Sequence, residues 1–319
     1  MRIWRTSPKD SILATISALH LLALVVMAVT WTSSPAPVQA FDGFALVVLI
    51  AYNTVIISHQ FIHVPWFVDE RLNTAVSMVN SINIGHSVQA YRFSHVRNHH
   101  RYSNDRLGAD GSTRDLASTY RKGKDGEHEP ALSYVITGTR WAVIDVMIEI
   151  VSVKRFWRVG PHEKDLLALA TGHEPKRSRE LRQIQLDRAA HTVSLVLLLL
   201  ISWQWSVFCY LPAFLVAMVL ASTQNYYRHF GANPDERAAD SVSYYGRLYN
   251  LMTFNDGYHQ EHHLAPGAHW SSLPAVHERH RASLQAQPRV VSPVPAMLGF
   301  LHRNRPQLHR GADQDAVIR

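Results

Sequence analysis

The rest of the chain is read outward from His259-Gln260-Glu261-His262-His263. On a helix, positions i, i+3 and i+4 share a face, so these three imidazoles converge instead of dispersing around the axis. That is a metal-ligand spacing. In a chain with 20 histidines one such string can arise by chance, but two others accompany it. His59-Gln60-Phe61-Ile62-His63 repeats the i, i+4 pair, and His95-Val96-Arg97-Asn98-His99-His100 repeats it with an added neighbour. The three boxes hold eight histidines, more than one four-coordinate ion uses, so the count points to two metals. Without thiolates, imidazole-rich sites suit iron, zinc, copper or nickel, and the ligand set does not choose between them.

Composition places these boxes beside a membrane. The 319 residues suffice for one large domain or two modest ones. A single cysteine, Cys209, rules out an internal disulfide and a cysteine-ligated iron–sulfur cluster, so any electrons come from elsewhere. The 32 Lys and Arg residues fall as 3 in 1–11, 19 in 63–188 and 10 in 228–319. Two windows, 12–62 and 189–227, therefore carry no cation, and both are strongly apolar. Such windows are the mark of an integral membrane protein.

The first window reads as two spans, about 12–31 and 44–60, separated by Thr32-Ser33-Ser34-Pro35-Ala36-Pro37. A cleaved signal peptide is the rival for the first, but its apolar run of about twenty residues is long enough to cross a core of roughly 30 Å. The second window, 39 residues long, would run to about 60 Å as one helix. It must fold back, with Trp203, Trp205 and Tyr210 at an interface and Pro212 helping to interrupt it, giving spans 189–207 and 209–227. Two crossings also bring the third box to the same side as the first two.

Arg2, Arg5 and Lys9 put the N-terminus in the cytoplasm by the positive-inside bias. The expected fold is all-α and membrane-integral: one domain over 1–319, with four transmembrane helices in two hairpins. A cytoplasmic helical cap, 63–188 and 228–319, holds a histidine-rich dimetal site. Within the cap, Leu132 to Val151 has spanning length, but Arg140, Asp145 and Glu149 would each be costly at mid-membrane. It is expected as an in-plane helix with its polar side toward water.

The order HxxxH, HxxxHH, HxxHH, with one membrane hairpin before the first two boxes and another before the third, resembles the membrane fatty acid desaturase and hydroxylase superfamily. His95-Val96-Arg97-Asn98-His99-His100-Arg101-Tyr102-Ser103-Asn104-Asp105 and His259-Gln260-Glu261-His262-His263-Leu264-Ala265-Pro266 are similar to its second and third boxes. The likeness covers about residues 44 to 280. It implies that His59, His63, His95, His99, His100, His259, His262 and His263 bind two Fe ions that activate O2 at a C–H bond. A family Asn-x-x-x-His pair matches Asn225 and His229, implying His229 as a ninth ligand and Asn225 as holder of a metal-bound water.

Of the remaining histidines, His20, His128, His162, His173, His191, His269, His277, His280, His302 and His309 are read as satisfied polar residues, and so is His86, which precedes the second box and has lining of the pocket as its rival reading. Ligand spacing does not separate loss of a second hydrogen, giving an alkene, from oxygen rebound, giving an alcohol. The third box is closer in wording to acyl desaturases, so the expected activity is an oxygen-dependent acyl-lipid or acyl-thioester desaturase. The alternative is a hydroxylase of a lipid or other apolar substrate. A non-catalytic metal-binding or transport protein is the rival from another class, and it predicts ionisable groups inside the spans. The two windows hold few, namely His20, Asp42, His59 and His191, mostly near their ends.

No dinucleotide fingerprint and no fused cytochrome motif is present in the sequence, so a separate ferredoxin or cytochrome with its reductase is the expected electron donor. The net charge of +7 fits an anionic lipid surface; nucleic acid is not an expected partner. The cation distribution also fixes a topology test. Reporters inserted near Lys124 and fused after Arg319 should read cytoplasmic, and one near Pro35 external; opposite readings at Lys124 and Arg319 would make Leu132 to Val151 a span.

Overall fold

The computed structural model describes residues 2–151 and 161–310. Of the positions read above, the His162 side chain and the C-terminal Arg319 lie outside the described residues. The regular structure there is helical, and the only β contacts among the described residues are the isolated bridges Trp4 to Phe67 and Ser243 to Val291. Four helices are long and apolar enough to cross a membrane: Asp10–Ser33, Ala36–His63, Lys176–Ile201 and Trp203–His229. The chain is thus a multi-pass membrane protein. It divides into two compact units, residues 1–93 with 139–219 and residues 94–138 with 220–319.

In the first unit, α1 (Asp10–Thr30) and α2 (Ala36–His63) form a hairpin. Pro35 is extended, and Pro37 falls in the first turn of α2, where a missing N–H costs nothing. At the other end, Arg5 N–H donates to the Trp66 carbonyl at 2.7 Å, Val68 N–H to that of Ile3 at 2.9 Å, and Trp4 stacks on Phe67. Entry to α1 and exit from α2 are thereby tied on one side. Leu13, Ser17, His20 and Leu24 line the buried stripe of α1, while Leu19, Leu22, Val26 and Val29 are exposed, as a lipid-facing surface requires. His20 departs from its expected role, since neither ring nitrogen has a hydrogen-bond partner among the described residues.

Helix α3 (Glu70–Ile84) is capped by Asp69, which accepts from Arg71 N–H, and ended by Gly85 at φ +79°. A Cβ on Gly85 would also meet the Phe214 ring at 2.7 Å. The buried positions of α3 are polar: Asn73, Ser77, Asn80, Ser81 and Asn83. Their density explains why this stretch is no lipid-facing span. Asp187, on α6 (Lys176–Ile201), gathers this interior. It accepts from Ser77 Oγ at 3.1 Å, Ser87 Oγ at 3.0 Å, the Gln89 N–H at 2.9 Å and Gln183 Nε2 at 2.8 Å. One carboxylate therefore joins α3, α6 and the start of the short helix α4 (Val88–Arg92).

Two sequence expectations are corrected here. Ser202 and not Pro212 makes the break in the second apolar window: its hydroxyl accepts from Trp205 N–H and starts the helix Trp203–His229, called α7 below. The boundary at 207–209 is thus displaced, and Pro212 lies inside α7 just after a π-turn at Ser206–Tyr210. A helix, α5 (Ala131–Val151), forms there and is not among the four apolar ones, but its polar side is not simply turned to water. Glu149 is buried, accepts from Ser87 N–H at 3.0 Å and lies 3.8 Å from Arg188 Nε. Burial pushes its pKa up, but His191, Arg188 and His86 outweigh that and hold it below the usual range.

In the second unit, helices are short and loops long. The ligand-bearing segments are a π-turn at Phe93–His99, the turn His100–Tyr102, the last turns of α7 and the helix His259–Leu264.

The buried donors around Asp187 give a stability test. Asp187→Ala should destabilise the protein by about 3 kcal/mol or more, because several buried donors lose their acceptor at once. It should lower the melting temperature in detergent, whereas Lys124→Ala on an exposed loop should leave it unchanged.

Candidate metal centre

Seven of the sequence-predicted ligands lie in the second unit, and backbone geometry sorts them into two groups. A regular α-helix would point His100 away from His95. The π-turn, with its wider i to i+5 hydrogen bonding, brings them to one side, and their Nε2 atoms stand 3.1 Å apart. His262 joins this pair, with its ring 4.7 Å from that of His100, and the ligand atoms of His95, His100 and His262 lie within 4.8 Å of one another. His99, one residue earlier in the turn, faces the second group. There His99, His229 and His263 bring their ligand atoms within 4.8 Å of one another. His259 packs beside them, its Nε2 3.5 Å from that of His229 and its ring 4.6 Å from that of His263.

The third box therefore does not aim its three rings at a single point. On a helix i+3 and i+4 are about 100° apart, and His262 and His263 fall to different groups, as do His99 and His100 in the second box. In the first unit, His59 and His63 keep the i, i+4 relation on α2, rings 4.9 Å apart. Two nitrogens bound to one metal at about 2.1 Å stand roughly 3 to 3.5 Å apart, so the spacing of His95 and His100 suits a shared cation.

In the second group the outer atoms of His99, His229 and His263 face acids and a carbonyl that spacing alone did not reveal. His99 Nδ1 donates to Asp115 Oδ2 at 2.8 Å, both side chains being buried. The loop reaches back because Ser103 and Asn104 turn the chain at positive φ, and Asn104 N–H also donates to Asp115 Oδ2 at 2.7 Å. Burial pushes the Asp115 carboxyl upward, but the His99 ring and the N–H groups of Ala117 and Asn104 prevail and keep it ionised. Asp240 serves the other two rings: its carbonyl accepts from His229 Nδ1 at 3.2 Å, and its Oδ1 lies 3.5 Å from His263 Nδ1. An acid holding the far nitrogen of a ligand imidazole fixes tautomer and ring orientation. A signal existed in the acidic residues of loops close to each box, but no helical period connects them to the histidines.

The remaining nitrogens fit a metal. Nε2 of His99 and Nε2 of His263 are buried with no hydrogen-bond partner among the described residues, a cost unless a cation accepts their lone pairs. Burial holds the His259 and His263 rings below the ordinary imidazole range, and hence neutral, as ligation requires. Asn225 Nδ2 donates to the Tyr134 hydroxyl at 2.6 Å. Among the other histidines, His128, His269, His277 and His309 have polar partners, as expected. His86 contacts the Ser87 carbonyl at 3.4 Å and stacks edge-on to Tyr91, within the first unit.

The model of the fatty acid desaturase family matches residues 33–294. Over 74 residues, 23% of this chain, the sequence is 36% identical to a sphingolipid delta(4)-desaturase of Komagataella phaffii. The matched stretch spans 20% of that relative's length.

Removing the support of His99 while leaving every ligand in place tests the geometry. Asp115→Ala should weaken metal retention about 10- to 100-fold, read by elemental analysis of detergent-purified protein after graded chelator challenge. Retention equal to that of the unmodified chain would show that Asp115 does not orient His99.

Proposed function

This chain belongs to the fatty acid desaturase family, and on that premise we propose that it is an oxygen-dependent acyl-lipid desaturase with a diiron centre. The observation that carries the proposal is the division of the imidazoles into two groups, in one of which the outer nitrogens of His99, His229 and His263 face Asp115 and Asp240. In this reading His99, His229, His259 and His263 hold one iron. His95, His100 and His262 hold the other with His59 and His63, the last two assigned from their box motif. Asn225 acts on the centre through a water.

Bound there, the iron pair supplies reductive activation of O2 for hydrogen removal from an unactivated carbon. Overall, two C–H bonds of adjacent carbons break and a C=C bond forms. One O2 is reduced to two waters by the two hydrogens together with two electrons and two protons from an external donor. The chain's own share is positional. Asp115 keeps the proton of His99 on Nδ1, leaving Nε2 to the metal, and the Asp240 carbonyl does the same for His229. The burial of His99, His229 and His263, and of His100 and His262, keeps bulk water from the reacting atoms.

A membrane-resident acyl chain is the substrate class that the family and the four apolar helices support. Both the cytoplasmic placement of the boxes and a separate ferredoxin or cytochrome donor belong to this proposal.

Comparing the lipids of cells with and without the protein by mass spectrometry tests the reaction. Products lacking two hydrogens are expected, and they should vanish with His262→Ala or His263→Ala together with bound iron. Products with one added oxygen would replace desaturation by hydroxylation. Bound metal with no altered lipid would favour a non-catalytic protein, and zinc in place of iron in native membranes would overturn the diiron assignment.

A further inference from the structure

Outside the histidine site, the second unit carries two large apolar patches open at its surface. On α8 (Arg247–Met252), Leu248, Leu251 and Met252 are 70%, 75% and 63% exposed. On the 3-10 segment Ala296–Leu301, Leu298, Phe300 and Leu301 are 44%, 56% and 53% exposed. The α8 residues stand at i, i+3 and i+4, so they form one face. The other face is pinned inward: Tyr249 O–H donates to Asp256 at 2.9 Å, and Asn250 Nδ2 donates to the carbonyls of Tyr244 and Gly246 at 3.0 and 3.1 Å. The helix cannot roll its leucines under without breaking these bonds.

Both patches are tied to the end of one apolar helix. Asp256, which holds Tyr249, also accepts from Gln224 Nε2 at 3.1 Å and pairs with Arg228, both on α7. Arg305 donates to the carbonyls of Tyr227 and Phe230 at 2.8 and 3.3 Å and to that of Gly299, within the second patch. Gly299 lies so close to Tyr227 that a Cβ there would meet its side chain at 2.4 Å. Gln224 and Tyr227 are about 4.5 Å apart along the helix axis. The two patches therefore share one level, that of the last turns of a helix apolar enough to span. Exposed Arg247 and Arg303 flank them.

We propose that α8 and the segment Ala296–Leu301 are two wedges seated in the headgroup–acyl boundary of the bilayer. Their exposed Leu, Met and Phe side chains lie among acyl chains, and Arg247 and Arg303 among lipid phosphates. Lipid is the occupant that this level supplies: apolar side chains beside the terminus of a span, with cations at their margins, match the anatomy of an interfacial helix. The wedges hold the unit that carries seven of the box and span histidines against the membrane surface. The inference concerns the membrane alone and stands whether or not the chain is a desaturase.

Site-directed nitroxide labelling tests it in full-length protein reconstituted in nanodiscs of phosphatidylcholine and phosphatidylglycerol. In a Cys209→Ala background, labels are placed through Leu251→Cys, Phe300→Cys and, as the aqueous reference, Lys124→Cys. Leu248→Cys serves as a second α8 position, and an unchanged melting profile certifies each variant. At Leu251 and Phe300, collisions with dissolved oxygen should exceed those with a water-soluble nickel chelate several-fold, and at Lys124 the order should reverse. Nickel accessibility at Leu251, Leu248 and Phe300 equal to that at Lys124 would overturn the proposal by placing the patches in water. Exclusion of both reagents would overturn it equally, by showing a protein cover.

Discussion

Burying an imidazole obliges the structure to satisfy two nitrogens, and most of the second unit is arranged around that obligation. A neutral ring has one N–H and one lone pair, and neither can be left without a partner at small cost. Asp115 and the Asp240 carbonyl take the N–H side of His99 and His229. The opposite nitrogens then face one another across distances of a few ångströms, where a proton or a cation is the natural occupant. The turn at Ser103 and Asn104 exists to carry Asp115 to its ring, and the chain between His229 and Asp240 folds back on the same account.

The first unit meets the same problem with different chemistry. Its spans are apolar outside, yet the interior between α1, α3 and α6 is lined by Ser, Asn and Asp side chains. Asp187 satisfies four donors from three segments, and Glu149 meets the Ser87 N–H and Arg188. Hydrophobic burial cannot specify how helices pack inside hydrocarbon, because the tails around them are equally apolar; hydrogen bonds between helices can. The polar interior thus sets the arrangement of the spans, while the apolar exterior only keeps them in the membrane.

Much of this was legible in the residues, for reasons that differ from element to element. The cation-free windows announced the spans because charge in a bilayer is costly wherever it is placed. The boxes announced ligands because histidine at helical spacing is an unusual expense without a use. What was not legible depended on backbone detail. Pro212 looked like the breaker, but the Ser202 hydroxyl cap made the turn and a π-turn accommodated the proline. Asp115 and Asp240 reach their rings through irregular loops, which have no period to read. The α-helical phasing suggested that His95 and His99 act together, whereas the wider turn pairs His95 with His100.

That π-turn has a consequence for how the segment can vary. The pairing of His95 with His100 depends on the number of residues between them, while Asn98 in addition holds the loop of Asp115, donating to the Arg114 carbonyl at 2.8 Å and accepting from Leu116 N–H at 2.7 Å. Loss of one residue would return the backbone to the ordinary helical repeat and swing every ring downstream by about 100°. His99 and His100 would then exchange or lose their groups, although all the histidines were still present. The segment is in this sense a ruler whose length is under stricter constraint than its lettering, and insertions or deletions there are more damaging than most substitutions.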